Sequence, residues 1–117
     1  YETPKTLGDH IVNKSDIDNN VSYSDALVPI RSKKSFYHIP YRCFYSRHVN
    51  NVFISGENVS ISKDAYQLLD FDDNVEQSIM QVINLAALIC KEHNINPRNI
   101  YESHMNELKQ LLSDNKL

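Results

Sequence analysis

The clearest hydrophobic pattern in the chain lies in its second half, where apolar residues recur at helical spacing. One face of this segment carries Val75, Ile79, Val82, Ile83, Ala86 and Cys90, and it is widened by Leu85, Leu88 and Ile89. The preceding Asp73-Asn74-Val75-Glu76 has the arrangement of a capping box. We therefore predict a largely buried helix over about residues 75 to 92.

A second amphipathic pattern follows near the end of the chain. Asn96-Pro97 is typical of the start of a helical turn with proline at its first position. Beyond it, one stripe carries Met105, Leu108, Leu111 and Leu112. The pattern predicts a last helix from about Ser103 to Ser113.

The first half of the chain has shorter apolar runs, rich in aromatic and β-branched residues, which favour strands. The pattern first predicts a strand over Thr6 to Val12, then a brief helix from the cap Asn13 to about Asn19 and a helical turn over Tyr23 to Val28, ended by Pro29. It then predicts extended segments over Phe36 to Ile39 and Tyr41 to Tyr45, and a short buried strand over Val52 to Ile54. Together the two halves predict an α+β fold in one domain of 117 residues, with a strand-rich part at 1–62 and a helical part at 63–117.

The amino-acid composition argues against several classes of function. The chain has two glycines, Gly8 and Gly56, so it cannot build a glycine-rich phosphate loop of the kind that binds dinucleotides. The net charge of -3 argues against strong electrostatic binding of nucleic acid. No apolar stretch approaches the roughly 18 residues of a membrane span, and the composition is that of a soluble globular protein. The first residues lack a signal-peptide pattern and an initiator Met, so we expect part of a longer protein.

Candidate metal and acid–base residues are scattered. Cys43 and His48 form a loose pair without a second pair, so the sequence predicts no metal site and two reduced thiols, Cys43 and Cys90. Each of the five histidines lacks a metal-type partner at i+4 on a helix. We therefore assign no catalytic residue.

Two charged regions have plain structural interpretations. Basic and aromatic residues interleave over 31–48, a mixture that can stack single-stranded bases. Aromatic residues facing a core, with charges facing water, explain the same pattern better in an acidic chain. Carboxylates over 64–76 lack the central glycine of a calcium loop, so helix capping explains them more simply.

The chain carries Ile39-Pro40-Tyr41-Arg42, followed by Val49-Asn50-Asn51-Val52-Phe53-Ile54-Ser55-Gly56. With these motifs it resembles the C-terminal part of a family of FAD-dependent oxidoreductases, which has "IPYR" and "NLLVAGR" at the corresponding places. Upstream, Tyr1 to Ile17 follows "RESRRIVGDYVLTEEDV", and downstream Asn96 to Ile100 matches "SPREID". The order and spacing cover nearly the whole chain.

The resemblance implies FAD as cofactor, with the flavin-contacting positions at Gly56, Glu57, Arg42 and Ser60. It also implies that the phosphate-binding loop belongs to an N-terminal half outside this chain. Several family positions are altered: Glu57 replaces an arginine, and Ile79 and Ile83 replace helix glycines. Closer to the N-terminus than these isoleucines, Gln67, Asp70 and Asp73 replace a glycine, an arginine and a proline of the family. We therefore expect weak or absent flavin binding and no catalysis by this chain alone.

The sequence is compatible with two main alternative functions. In the first, the chain is the C-terminal portion of a flavoenzyme. In the second, it is a degenerate, non-catalytic scaffold or protein-interaction module. A weaker third is single-strand nucleic-acid binding through residues 31–48. As partners we expect the missing N-terminal half or another copy of the chain, in a homo-oligomer, with no membrane.

Overall fold

The computed structural model describes residues 7–32, 36–54 and 59–114. Within these ranges the chain forms helices, one antiparallel hairpin and a 3₁₀ turn. In chain order they are α1 (Lys14–Asp18), β1 (Ala26–Arg31), β2 (Phe36–Pro40), the 3₁₀ turn Tyr41–Cys43, α2 (Lys63–Leu68), α3 (Asp73–His93), α4 (Pro97–Ser103) and α5 (Met105–Asp114). The predicted α+β class, with strands first and helices later, is confirmed.

The hairpin presents one apolar face to the core. Val28 lies opposite Ile39, and Ile30 lies opposite Tyr37. All four side chains are buried, while Pro29, Arg31, Phe36 and His38 are exposed. This alternation is the period of two that a half-buried strand requires.

The prediction of a helical turn over Tyr23 to Val28 is wrong, because β1 begins at Ala26 and runs through Pro29. Pro29 is exposed and pairs with His38. Each strand of a two-stranded sheet has an open edge, where a residue without an N–H group is tolerated. The segment is therefore a strand because Val28 and Ile30 are buried, and Pro29 does not interrupt it.

The extended segment predicted over Tyr41 to Tyr45 is wrong for its first three residues, which form the 3₁₀ turn. Pro40 ends β2, and the Phe44 N–H group donates to the Tyr41 carbonyl at 2.9 Å. The Tyr41 N–H group donates to the Asp25 carbonyl at 2.8 Å. These two contacts turn the chain sharply at the end of the hairpin.

Two other predicted strands are reduced to single bridges in the described residues. Val12 pairs with Ile61, and Phe53 pairs with Tyr45, each through one isolated bridge. The first residue of the strand predicted over Thr6 to Val12 lies outside the described ranges. The backbone groups of the first run bond to three places, at Arg42, at Arg47 and at Ser60 to Ser62, whereas those of the second run bond to Phe44 and Ser46.

The two long helical predictions are confirmed, with helix α3 over Asp73–His93 and helix α5 over Met105–Asp114. The N-cap of α3 is Asp72, whose carboxylate accepts the Val75 N–H group at 2.9 Å. The capping box predicted with Asp73 as N-cap is therefore one residue too late. α3 ends at His93, and its C-cap Asn94 adopts the left-handed conformation that asparagine tolerates.

α3 is the central helix of the core and packs against β1, α4 and α5. Its buried stripe comprises Val75, Ile79, Val82, Ala86 and Ile89. The other large side chains that are fully buried come from the N-terminal segment, the hairpin, the 3₁₀ turn with the residues after it, and the last two helices. They are Val12, Val28, Ile30, Tyr37, Ile39, Tyr41, Phe44, Tyr45, Ile100 and Leu108.

Candidate functional site

Arg42, one of the four flavin-contacting positions implied by the resemblance, is bound to a buried aspartate. Its backbone N–H group and its Nε and Nη2 atoms donate to the Asp25 carboxylate at 3.0, 3.1 and 3.3 Å. Asp25 is fully buried. The guanidinium therefore neutralises an interior charge of this chain.

Aromatic rings cover the same guanidinium. Its central carbon lies 4.8 Å from the ring centroid of Tyr101 and 5.7 Å from that of Tyr23. These distances are typical of cation–π contacts. Burial acts to lower the pKa of Arg42, but the hydrogen bonds and charge of Asp25 outweigh it and raise that pKa.

Ser60, the second flavin-contacting position that the structure describes, is also engaged internally. It is fully buried, and its hydroxyl accepts the Gly8 N–H group at 3.0 Å. A Cβ atom on Gly8 would lie 2.5 Å from the Arg42 carbonyl and 3.0 Å from the Ser60 Cβ. Gly8 thus allows the N-terminal segment to pass between the two positions.

Arg42 and Ser60 both lie beside Gly8, which has the Arg42 carbonyl and the Ser60 Cβ atom as near neighbours. Gly56 and Glu57 lie outside the described residues. In the described part of the chain, each buried side-chain nitrogen or oxygen has a hydrogen-bond partner. Arg42 and Ser60 are therefore both engaged in hydrogen bonds within the chain, to Asp25 and to Gly8.

The helix face that carries glycines in the family is packed inside this chain. Ile79 is fully buried in the core. Ile83 is half-buried and packs against the core. α3 places this face against its own hairpin and neighbouring helices. The branched side chains thus fill space within the chain itself.

The aromatic residues of the 31–48 region mostly face the core. Tyr37, Tyr41, Phe44 and Tyr45 are each no more than 1% exposed. Phe36 is 55% exposed, and the Arg31 guanidinium lies 5.7 Å from its ring centroid. Among these five rings, Phe36 alone offers a face to a nucleic-acid base.

The opposite face of α3 is exposed and uncharged. Met80 and Leu88 are 43% and 59% exposed, and Asn84 lies midway between them. The sequence has no charged residue between Glu76 and Lys91. We call Gln77, Met80, Asn84, Leu85 and Leu88 the outer face of α3.

A cluster of potential metal ligands, which the sequence analysis missed, lies at the C-terminal end of α3. His93, His104 and Glu107 each offer one ligand atom, and these atoms lie within 4.8 Å of one another. The histidines lack partners at i+4, but His104 and Glu107 lie at i and i+3 on a predicted helix, and this spacing was the available signal.

Both cysteines are free thiols. Cys43 is fully buried, and burial raises its pKa well above the ordinary value. Cys90 is half-buried, and burial raises its pKa also. Neither has the lowered pKa of a reactive nucleophile.

Comparisons with protein-family models, with curated proteins and with solved structures found no match for this chain. The resemblance to FAD-dependent oxidoreductases therefore stays a prediction from sequence motifs. Within the described residues, none of the helices is long and apolar enough to span a membrane.

Proposed function

We propose that this chain is a protein-interaction module, derived from the C-terminal portion of an FAD-dependent oxidoreductase-like protein, without redox activity of its own. The observation that carries the proposal is the outer face of α3. Leu88 and Met80 are exposed there on a helix whose other side is packed into the core.

The composition of this face supports binding to protein. Cores of protein interfaces are depleted in charged residues and enriched in methionine and other large apolar side chains. Leu88, 59% exposed, is the most exposed large hydrophobic residue in the described part of the chain. Covering it and Met80 removes apolar surface from water, which favours association.

The occupant that fits this face best is a second copy of the chain. The five residues that define this face carry no charge, so two copies can pair across its centre without like-charge repulsion there, although each chain has a net charge of -3. An antiparallel pair of α3 helices with Asn84 on the two-fold axis would place Met80 of one copy beside Leu88 of the other. The Asn84 amides can donate and accept across that axis.

The helix is long enough for such a pair. α3 has 21 residues, which corresponds to about 31 Å at the rise of an α-helix. Met80 and Leu88 lie four residues on either side of Asn84, so both contacts fall within the helix.

The internal contacts of the implied flavin positions support the absence of redox activity. Arg42 is bound to Asp25, and Ser60 is bound to Gly8. Ile79 fills the core where the family has glycine. A flavin would have to break these contacts to reach the same atoms.

Sedimentation velocity tests the interaction surface. We expect the wild-type chain to form a species of twice 13.6 kDa as its concentration rises. Leu88→Asp should weaken this association at least about tenfold, because it places two carboxylates in one apolar interface. Val49→Asp is the matched control, since Val49 is also exposed, at 55%, but lies in the loop after the 3₁₀ turn.

A wild-type chain that stays monomeric at all concentrations would contradict the self-association. So would an unchanged dimer in Leu88→Asp. If the outer face binds an N-terminal flavoprotein half instead, the wild type is monomeric alone and forms a complex with that half, which Leu88→Asp disrupts.

Absorbance and thermal denaturation test the flavin part separately. The purified chain should be colourless, and added FAD should leave its melting temperature unchanged. Visible flavin bands, or a rise in melting temperature with FAD, would contradict the proposal that this chain has no working flavin site.

A further inference from the structure

We propose that His93, His104 and Glu107 form a binding site for a divalent transition-metal cation, with zinc as the best match. The site is distinct from the outer face of α3 and from the implied flavin positions. Two imidazoles and one carboxylate are a ligand set that holds zinc with a fourth position open to water.

The three ligands come from three helix ends that meet at one place. His93 lies in the last turn of α3, His104 is the C-cap of α4, and Glu107 lies in the first turn of α5. The His93 Nε2 atom lies 3.0 Å from one Glu107 oxygen and 3.3 Å from the other. The ring centroids of His93 and His104 are 4.6 Å apart.

Buried neighbours fix the backbone of each ligand. Ile89, one turn before His93, is fully buried, as are Ile100, four residues before His104, and Leu108, next to Glu107. The backbone N–H group of His104 donates to the Ile100 carbonyl at 2.8 Å. The ligands therefore extend from rigid elements, as a preformed site requires.

The ligand side chains reach the surface while their backbones are anchored. His93 and Glu107 side chains are 37% and 36% exposed. A cation from solution can therefore enter without unfolding the helices.

A hydrogen-bond chain sets the tautomer of His104. The Ser103 hydroxyl donates its single proton to the Asn99 carbonyl at 3.1 Å. The contact of 2.9 Å between Ser103 Oγ and His104 Nδ1 then requires Nδ1 to donate. In the neutral ring, Nε2 of His104 is then the nitrogen with a lone pair for a metal, and the second nitrogen is oriented by a hydrogen bond, as in metal-ligating histidines.

The distances suit a small tetrahedral ion. Two ligand atoms on one zinc ion, with bonds of about 2.0–2.1 Å, lie about 3.3 Å apart. The pair His93 and Glu107 already has this separation. The widest separation in the cluster, 4.8 Å, closes by rotation of partly exposed side chains.

An ion pair between His93 and Glu107 is the simpler interpretation of that contact, because a protonated histidine suits a helix C-terminus. Such a pair needs only two residues. The metal site needs His104 as well, so the role of His104 separates the two interpretations.

The test is titration of the metal-free chain with ZnCl₂, followed by calorimetry and by thermal denaturation. We expect one zinc ion per chain and a higher melting temperature. His104→Ala should weaken zinc binding by more than about tenfold, because even loss of an outer hydrogen-bond partner costs about 10–100-fold. MgCl₂ should have no effect, since magnesium prefers oxygen ligands.

The matched controls use residues outside and inside the cluster. His48→Gln changes an exposed histidine that is not part of the cluster and should bind zinc like the wild type. Glu107→Gln keeps the size of the side chain and removes its charge, and it should also lose zinc binding. Circular dichroism of each variant verifies that the helices are intact.

Two results would overturn the proposal. One is a wild-type chain that neither binds zinc nor melts at a higher temperature with it. The other is zinc binding of equal strength in the wild type, His104→Ala and Glu107→Gln, which would place the ion elsewhere.

Discussion

At the scale of single residues, two aspartates hold the first half of the chain in place. Asp25 is fully buried and bonds to Arg42 through three hydrogen bonds. Asp9 bonds to Arg98 at 2.7 and 3.0 Å, but the Arg98 side chain is 40% exposed. The two pairs have similar geometry and different burial, so they should differ in their effect on stability.

Replacing each arginine with alanine measures that difference. Arg42→Ala leaves Asp25 without its counter-charge in the interior and should lower the free energy of unfolding by about 3–5 kcal/mol. Arg98→Ala removes a more exposed partner and should cost about 1 kcal/mol or less. Urea denaturation gives both values, and equal costs would show that the burial of Asp25 is not decisive.

At the scale of elements, side-chain caps set where the helices begin. Asn13 caps α1, Ser62 caps α2 and Asp72 caps α3, each by accepting a backbone N–H group of the first turn. α3 needs its cap most, because it is the helix around which the core is built. The observed N-cap of α3 is Asp72 and the predicted one was Asp73, so the Asp72 carboxylate should contribute more to the stability of this helix.

Alanine substitution separates the two carboxylates. Asp72→Ala removes the acceptor for Val75 N–H and should lower the free energy of unfolding by about 0.5–2 kcal/mol. Asp73→Ala removes only a favourable charge near the helix N-terminus and should cost about 0.3–1 kcal/mol. Chemical denaturation of both variants decides, and a larger cost for Asp73→Ala would contradict the assigned cap.

At the scale of the whole molecule, polar contacts join segments that are far apart in sequence. Asp9 accepts hydrogen bonds from Arg98 of α4 and from the Tyr45 hydroxyl. Its backbone N–H group also donates to the Arg42 carbonyl. The carboxylate thus fastens the N-terminal segment to the last third of the chain.

The stability of the protein in acid should depend on this carboxylate. Burial acts to raise the pKa of Asp9, but hydrogen bonds from Arg98 and Tyr45 lower it below the ordinary value of 3.8. Its contribution to stability is therefore complete above the pKa of the unfolded chain and is lost as the pH falls through the lower folded pKa.

Urea denaturation across the acid range measures this loss. Asp9→Asn should make the free energy of unfolding fall less steeply with decreasing pH than in the wild type. Asp18→Asn, at an exposed position of α1, is the control and should keep the wild-type slope. Identical slopes for wild type and Asp9→Asn would contradict the assignment.

The sequence by itself determined the two long helices of this protein. α3 and α5 lie within two residues of their predicted ends because helical spacing and caps are local signals. The α+β class follows from the same patterns. The burial of Tyr37, Tyr41 and Tyr45 was also predictable from the interleaving of aromatic and charged residues.

Only the tertiary structure decided the strands and the sites, because they depend on contacts between distant segments. Tyr23 to Val28 reads as a turn until Phe36–Pro40 pairs with Ala26–Arg31. Asp25 meets Arg42 across 17 positions, and Asp9 meets Arg98 across 89. His93 joins His104 and Glu107 only because α3 packs against α4 and α5. Local sequence patterns cannot predict these contacts, because the packing of the whole core brings the segments together.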